Sequence, residues 1–430
     1  MPRPSVERPH RAGVVLWALL LLLPGIRPAA AQASPDTSVT QGRRVTLEEA
    51  LRRLDGGSLE LRLARGEVEA ARARAVTAGT RPNPIAAVDR EQLGGDGSYH
   101  ETVLSVGQAL DLTGQRGARR EAAARDVAAA EARLAAERFR VGAEVRRAYL
   151  RAALLESRLG TLEETGGVFR SVERAGASRL REGDISPYEL RRLQVEAARY
   201  ETSIADTRLE LLQAGRELAR LVGADSAGTA DDVLLPADTL GAAAAPAEVA
   251  VDSMLTLARV RPDVRAARAE VDAASAVVEL RRRGRRPNPT LSAGLKEQAG
   301  GLRGAVIGVS VPLPLSDRNQ GPIAEAEAAR AQAETRLALA LRNAESETRG
   351  AWERRRSLAE RLALRSGFQT RAAALLRSAR VSYEEGEMTL VELLDAADAY
   401  RTAREAATTL LADYLLSVAD LERATGGFDR

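Results

Sequence analysis

The 430-residue chain contains no cysteine, which excludes disulfides, thiolate metal sites, catalysis by a thiol and a lipid attached to an N-terminal cysteine. It has two histidines, and His10 lies in a segment that we expect to be removed. With His100 alone, neither a buried transition-metal site nor a histidine-based catalytic site is expected. No nucleophile–base pair or phosphate-binding loop stands out. The sequence therefore predicts no metal site, no cofactor and no enzymatic activity.

Long apolar runs are scarce. The one at residues 14–23 follows three arginines and precedes a small-x-small cleavage site at residues 31–33, a pattern typical of an export signal. It is shorter than the roughly 20 residues that a membrane-spanning helix needs. We therefore predict a signal peptide at residues 1–33 and no transmembrane helix after it.

Aromatic residues are few, at 3% of the chain, whereas Ala, Leu, Arg and Glu dominate. This composition is typical of long helices packed through small side chains. Removing residues 1–33 takes four arginines and one glutamate from totals of 63 basic and 60 acidic residues, which leaves the remainder formally neutral. Charge therefore gives no support to a nucleic-acid partner.

The chain contains the same pattern twice. Residues 81–84, 105–112 and 182–190 return at residues 286–289, 308–315 and 385–393, with offsets of 203 or 205. A nearly constant offset indicates one unit built twice with its register intact. We predict tandem repeats at residues 34–223 and 250–430, joined by an irregular linker at 224–249 that is rich in Ala, Asp and Gly.

Each repeat predicts a β-hairpin followed by a long α-helical hairpin. Alternating residues predict strands at about 85–92 and 101–110, and again at about 290–297 and 305–311. No proline occurs from residue 117 to residue 183, which at 1.5 Å per residue allows a helix roughly 100 Å long. Helical tips are expected at 182–187 and 385–390, and apolar residues spaced three and four apart predict coiled-coil seams beyond them.

The first helix has a recognisable start. Thr46 and Glu49 match a capping box, in which Glu49 would reach back to the Thr46 amide. A break is expected near Gly56, and the prolines within residues 81–84 would end the helical segment.

Four strands per chain cannot close a membrane barrel, which needs about eight or more. Left open, the strand edges would be a liability. Two chains would supply eight strands and three chains twelve, with one apolar and one polar face. The alternative is a small soluble sheet capping a helical rod, which the export signal and the duplication disfavour.

Motifs at residues 46–51, 81–84, 110–116 and 182–190 resemble the TolC family of trimeric outer-membrane efflux ducts, and most of all its heavy-metal (cobalt–zinc–cadmium) branch. The resemblance implies a mainly α fold with a membrane β-barrel. A homotrimer would form a 12-stranded barrel in outer-membrane lipid and a 12-helix α-barrel through the periplasm. Its far end would meet a periplasmic adaptor and, through it, an inner-membrane RND-type pump.

Two other classes of protein remain as alternatives, a periplasmic adaptor and a structural coiled-coil envelope protein. An adaptor usually carries one helical hairpin, whereas here each of two hairpins follows its own strand pair. The implied function is passive efflux, with heavy-metal cations as candidate substrates and the pump deciding what is delivered.

Glycines at the two tips allow the chain to reverse tightly. The function implied for the tips is docking of the adaptor, and the alternative is that they only turn the chain. The candidate docking residues are Gly183, Asp184, Ser186, Gly386, Glu387 and Thr389.

The resemblance also implies carboxylate rings at a closed pore mouth. Glu392 and Asp395 lie six and nine residues after Gly386, at the family's positions for these acids. The first repeat offers Glu189 but has Arg192 at the second position. Such a ring would attract cations and respond to pH. Ordinary solvated charges are the alternative.

A gate lock is implied by one more position. Tyr383 lies three residues before the second tip glycine and would tie to Glu189 on the first hairpin. Met388 stands where the family has a lock arginine, so this chain departs from the pattern.

Overall fold

The computed structural model describes residues 42–94, 99–223, 233–238, 240, 250–364 and 367–427. The predicted signal peptide, the link at 95–98 and most of the predicted linker lie outside these residues. Nine helices and six strands occur in the described part. In chain order they are β1 (Arg43–Val45), α1 (Leu47–Gly57), α2 (Leu59–Gly79), β2 (Ile85–Leu93), β3 (Tyr99–Ala109), α3 (Gln115–Glu182), α4 (Pro187–Val222), β4 (Leu234–Pro236), α5 (Val251–Ala258), α6 (Pro262–Arg283), β5 (Thr290–Gln298), β6 (Leu302–Ser310), α7 (Gln320–Leu364), α8 (Phe368–Glu384) and α9 (Leu390–Thr425).

The first helical segment breaks between Gly57 and Leu59, close to the predicted break. Thr46 caps α1 as predicted, because its Oγ1 accepts from the Glu49 amide at 3.1 Å. The reciprocal bond, from the Thr46 amide to the Glu49 carboxylate, is absent among the described residues. The predicted capping box is therefore wrong for this second bond. The Glu49 carboxylate instead accepts from Arg53, 2.6 Å away and one turn along the helix.

The first helical hairpin consists of α3 and α4. α3 runs for 68 residues without interruption, in agreement with the proline-free stretch in the sequence. The predicted seam of α4 faces it. Its first position, Leu190, is half-buried, and the positions that follow at spacings of three and four are all buried: Leu193, Ala197, Tyr200, Ile204, Thr207, Leu211, Ala214, Leu218 and Leu221. The Phe169 and Tyr200 rings stack across the hairpin with centroids 5.1 Å apart. Packing of this apolar stripe, rather than intrinsic helix propensity, stabilises so long a pair.

The second hairpin differs from the first in its ascending limb. α7 ends at Leu364 and α8 begins at Phe368, after Gly367 in the left-handed region at φ 83°. This interruption was not predicted from the sequence. α9 then returns along α8 and α7, and its seam residues Leu393, Tyr400 and Tyr414 are buried.

The four longer strands form one antiparallel sheet in the order β2-β3-β5-β6. Their ends lie within three residues of the predicted bounds. The two hairpins of the repeats thus join through β3 and β5, and Leu104 of β3 lies opposite Leu295 of β5. Within the described residues, β2 and β6 each pair on one side only, so the sheet has two open edges.

The two faces of this sheet differ in polarity. The strand register places exposed apolar side chains on one face: Val88, Leu104, Val106, Leu291, Leu295, Ile307 and Val309. The opposite face is mainly small and polar, although it also carries Val103, Val306 and the exposed Ile85. Its half-buried small and polar residues are Ser105, Gly107, Ser292, Gly294, Lys296 and Gly308. Alternation of this kind is the pattern of a sheet with an apolar environment on one side only.

A second, two-stranded sheet corrects the prediction for the linker. Residues 224–249 were expected to be irregular, but β4 within them pairs in parallel with β1. Leu234 and Leu235 are fully buried there beside Val45, so their apolar side chains provide the reason for this local order.

The largest apolar cluster joins the two helical hairpins through residues of α3, α4, α8 and α9. α3 therefore packs against its own hairpin partner and also against α9 of the second hairpin. Across the part of the chain that the structure describes, no helix combines the length and the hydropathy required for a membrane span.

Candidate functional site

The two helical tips are built in the same way. Gly183 ends α3 at φ 87°, and Gly386 follows α8 at φ 81°, a region that is costly for residues with a Cβ. The amides of Gly183 and Asp184 donate to carbonyls of the last turn of α3, at 3.3 and 2.9 Å. At the second tip, the Glu387 amide donates to the backbone carbonyl of Ser382 at 2.9 Å. Each reversal therefore satisfies carbonyls at the end of its own helix.

Both returning helices begin with a complete capping box. Glu189 accepts from the amide of Ser186 at 2.8 Å and from its hydroxyl at 3.0 Å, while the Ser186 Oγ accepts from the Glu189 amide at 3.2 Å. Glu392 makes the same contacts with Thr389, at 2.9, 2.8 and 3.4 Å. Two of the predicted pore acids are therefore also helix caps. The signal for this role, Ser or Thr three residues before Glu, was present in the sequence and was missed.

The cap keeps Glu392 charged. Its side chain is exposed, and the hydrogen bonds from the amide and the hydroxyl of Thr389 lower its pKa below the usual value. Hydrogen bonds of this kind favour the carboxylate over the carboxylic acid. Glu392 can therefore hold a negative charge at the tip at neutral pH and below.

Asp395 lies one turn further along α9, at the edge of a cleft of about 260 Å³ between the two hairpins. Arg192, the residue at the matching position of the first repeat, lines the same cleft. The charged residues of this cleft are Arg158, Arg192, Arg199, Arg401, Glu196, Asp395, Asp398 and Glu405. Neither Arg192 nor Asp395 belongs to an ion pair within the described residues. The setting of Asp395 is therefore mixed in charge, unlike that of Glu392.

Tyr383 lies at the junction of the two tips, but the predicted hydrogen bond to Glu189 is absent. The Tyr383 side chain is 5% exposed, and its buried hydroxyl has no hydrogen-bond partner among the described residues. The Glu189 carboxylate is occupied by its own capping box. Burial raises the pKa of Tyr383, the charge of Arg179 opposes this rise, and the charge of Glu189 adds to it. Glu189 is thus close enough for its charge to act on Tyr383, but it does not accept a hydrogen bond from the Tyr383 hydroxyl.

The remaining predicted tip residues divide into two groups. The hydroxyls of Ser186 and Thr389 are used in capping. Asp184 and Glu387 are exposed, and neither makes an ion pair within the described ranges. Among the described residues, no group of three His, Cys, Asp or Glu side chains is placed to hold a metal ion.

Several contacts between the hairpins were not predicted. The Tyr400 hydroxyl donates to Glu164 at 2.6 Å, and Arg147 donates to Asp420 at 2.6 Å. Near the tip, the Arg179 Nη1 donates to the Tyr383 carbonyl at 3.1 Å. These partners lie more than 200 residues apart, so no local pattern in the sequence could have joined them.

Known proteins resemble this chain along most of its length. It is 29% identical over 284 residues to the cobalt-zinc-cadmium resistance protein CzcC of Cupriavidus metallidurans, covering 64% of this chain and 65% of CzcC, which is less than two thirds of that relative. It is 30% identical over 325 residues to the nickel and cobalt resistance protein CnrC of the same organism, covering 74% of this chain and 71% of CnrC.

Solved structures share its fold. The Campylobacter jejuni CmeC outer membrane channel superimposes with a TM-score of 0.74 at 17% identity, over 89% of this chain and 85% of CmeC. CusC superimposes with a TM-score of 0.70 at 21% identity, over 89% and 92% of the two chains. The family model described as "Outer membrane efflux protein" matches residues 50–224 and 256–427, one match for each strand pair with its helical hairpin. Together with the fold, this double match shows that the chain belongs to the outer membrane efflux protein family.

Proposed function

We propose that the chain is the outer-membrane duct of a tripartite efflux system and that it acts as a homotrimer. Residues 1–33 direct export, and the repeats at 34–223 and 250–430 each contribute one β-hairpin and one helical hairpin. Three copies form a 12-stranded barrel in the outer membrane and a 12-helix tube in the periplasm. The duct is passive and catalyses no reaction.

The observation that carries this proposal is the open four-stranded sheet. Within the described residues, its two edge strands, β2 and β6, each lack a partner on one side, and antiparallel pairing of β6 with β2 of the next chain continues the strand order. One of its faces is rich in exposed apolar side chains, and the other is mainly small and polar. Closure by symmetry removes both edges and turns the apolar face to lipid and the polar face to a lumen.

The tips form the inner mouth in this proposal. Threefold symmetry brings three copies of Glu392 around one axis, with Asp395 a turn further along. Because the cap keeps Glu392 ionised, this ring attracts cations and repels anions. Asp395 contributes less, since Arg192 lines the same cleft. Asp184 and Glu387 are exposed at the reversals and offer the contacts for a periplasmic adaptor, which links the duct to an inner-membrane RND-type pump.

Heavy-metal cations are the proposed cargo. The printed names of the relatives CzcC and CnrC refer to resistance to cobalt, zinc, cadmium and nickel. A negatively charged mouth suits divalent cations, which pass through the duct as substrates and are not bound as cofactors.

The test is assembly and conduction by the full chain. We expect the protein expressed with residues 1–33 to fractionate with the outer membrane and to require detergent for extraction. Native mass spectrometry and chemical cross-linking should give a trimer, and planar bilayers should show cation-preferring channels. A monomer that stays in aqueous buffer without detergent would refute the proposal.

A further inference from the structure

The C-terminal end of α8 lacks a cation of its own. Helix ends leave carbonyl groups unsatisfied and carry partial negative charge, which a nearby arginine or lysine stabilises. The last turn of α8 contains no basic residue, and Arg380, one turn earlier, is paired with Glu384 at 2.8 Å. The carbonyl of Tyr383 in this turn accepts from the Gly386 amide at 3.1 Å and has capacity for a second donor.

Arg179 supplies that second donor from the other hairpin. It lies in the last turn of α3, and its Nη1 reaches the Tyr383 carbonyl at 3.1 Å. Its guanidinium also lies over the Tyr383 ring, 5.4 Å from the centroid. A Cβ placed on Gly386 would be 3.6 Å from the Arg179 Nη2, so the guanidinium lies directly beside the second reversal.

The end of α3 does not depend on Arg179 in the same way. The Asp184 amide closes the first reversal onto the backbone carbonyl of residue 179 at 2.9 Å. Arg181, two residues away, remains on its own helix, where it donates to the Ala177 carbonyl at 3.3 Å and to the Ser178 Oγ at 2.8 Å. The side chain of Arg179 is therefore directed to the second hairpin, although it belongs to the first.

We propose that Arg179 is the positioning residue that joins the two helical tips of each protomer, by capping α8 and covering the Tyr383 ring. It fulfils the task that a Tyr383 hydroxyl bond to Glu189 would have had, and it does so although Met388 occupies the lock-arginine position. The guanidinium thus contacts one residue in two ways, through a charged hydrogen bond to the backbone carbonyl of Tyr383 and through a cation–π contact with its ring. The consequence for gating rests on the proposed duct function, whereas the contact itself does not.

The first measurement is amide hydrogen exchange of the detergent-solubilised full chain, followed in peptides that cover residues 381–390. Arg179→Ala should accelerate exchange there several-fold, because it removes a donor and a cation from a helix end more than 200 residues away in sequence. Arg181→Ala is the matched control and should leave these peptides as in the parent, since its contacts stay within α3.

Conservative variants separate a specific contact from general destabilisation. Arg179→Lys keeps the charge and one donor but not the planar guanidinium, so its exchange should fall between the parent and Arg179→Ala. Tyr383→Phe removes only an unpartnered hydroxyl and should accelerate exchange less than Arg179→Ala. If the alanine variant does not assemble, Arg179→Gln replaces it and is judged on the same peptides.

Equal exchange of Arg179→Ala and Arg181→Ala at residues 381–390 would overturn the inference. Planar-bilayer recordings then test the consequence, and we expect a higher resting conductance for Arg179→Ala than for Arg181→Ala. A parent protein that forms no channels would refute the duct, while hydrogen exchange would still decide whether Arg179 joins the tips.

Discussion

At the residue scale, Glu392 is a helix cap that also occupies the position where we propose a pore mouth. A carboxylate held by the amide and hydroxyl of Thr389 has a lowered pKa and a fixed position, yet it remains exposed. A surface glutamate without such hydrogen bonds would have neither the lowered pKa nor the fixed position. The capping box thereby fixes both the charge and the direction of the group that we place at the mouth.

The pH dependence of cation preference tests the hydrogen bonds between Thr389 and Glu392. Because the folded pKa of Glu392 is lowered, its contribution is present at neutral pH and is lost as the pH falls through that lowered pKa. Thr389→Ala removes the hydroxyl donor, so the midpoint of the loss should move to higher pH. Thr389→Ser keeps the hydroxyl and serves as the control. The midpoints of both variants are measured from reversal potentials in a salt gradient between pH 3 and pH 7. Identical midpoints for Thr389→Ala and Thr389→Ser would show that the Thr389 hydroxyl does not lower the pKa of Glu392.

Residue roles could be predicted only at positions that could be counted from the repeated tip glycines, Gly183 and Gly386. Glu189 and Glu392 were identified because they occupy the positions that the family resemblance gives for pore acids, counted from the tip glycines, whereas their capping role was readable in the sequence but was missed. Arg179 could not be found, because its acceptor is a backbone carbonyl on another hairpin. The predicted Tyr383–Glu189 bond is absent for a different reason: Glu189 is engaged in the capping box with Ser186, a role that the spacing of these two residues already indicated.

At the scale of elements, α3 is connected to the second hairpin at several levels. Arg179 contacts the tip, Tyr400 of α9 bonds to Glu164 within the helical region, and Arg147 pairs with Asp420 further from the tip. One apolar cluster joins α3 and α4 to α8 and α9, and its α9 members extend from Leu390 to Ala403. The two hairpins of one chain therefore form a single packed unit rather than two independent arms.

Tyr400→Phe measures one of these connections. The Tyr400 ring is buried, and its hydroxyl donates to the exposed Glu164 at 2.6 Å. Loss of this bond should cost about 1 kcal/mol in the free energy of unfolding, because the freed carboxylate returns to water. Tyr200→Phe is the control, since the hydroxyl of that stacked tyrosine makes no hydrogen bond within the described residues.

The same variant gives a test at alkaline pH. Burial, followed by the bond to Glu164, raises the pKa of Tyr400 to about 12. The protonated hydroxyl therefore contributes stability that is complete below the ordinary tyrosine pKa of about 10 and is lost as the pH rises through the folded value. Denaturant midpoints of the parent should fall across this window more steeply than those of Tyr400→Phe. Parallel curves would contradict a contribution from the Tyr400–Glu164 bond.

Elements governed by local periodicity were predictable, and elements governed by distant contacts were not. Uninterrupted 3-4 spacing indicated α4 and α9, and alternation indicated the four strands. The strand β4 could not be foreseen, because its order depends on β1, almost 200 residues earlier. The interruption between α7 and α8 includes Gly367. This glycine was not a sufficient signal, because many other glycines in this chain lie inside helices without breaking them.

At the scale of the whole molecule, the proposed mouth should set ion preference. Glu392→Gln with Asp395→Asn removes the charges that threefold symmetry would gather, so the ratio of cation to anion permeability should fall several-fold. Asp398→Asn is the control, because Asp398 lies one turn further along the same helix and is paired with Arg401 at 2.6 Å. Reversal potentials measure the ratio, and equal values for the two variants would exclude the carboxylate ring.

The open edges of the sheet have a genetic consequence. A protomer whose edge strands are intact but whose mouth is damaged would still be accepted by its neighbours. If damaged and normal copies were made in equal amounts and mixed at random, only roughly one in eight of the proposed trimers would contain three normal copies. In the proposed duct, a defective allele should therefore suppress efflux in a cell that also carries the normal one, which is dominance produced by the pairing of edge strands between protomers.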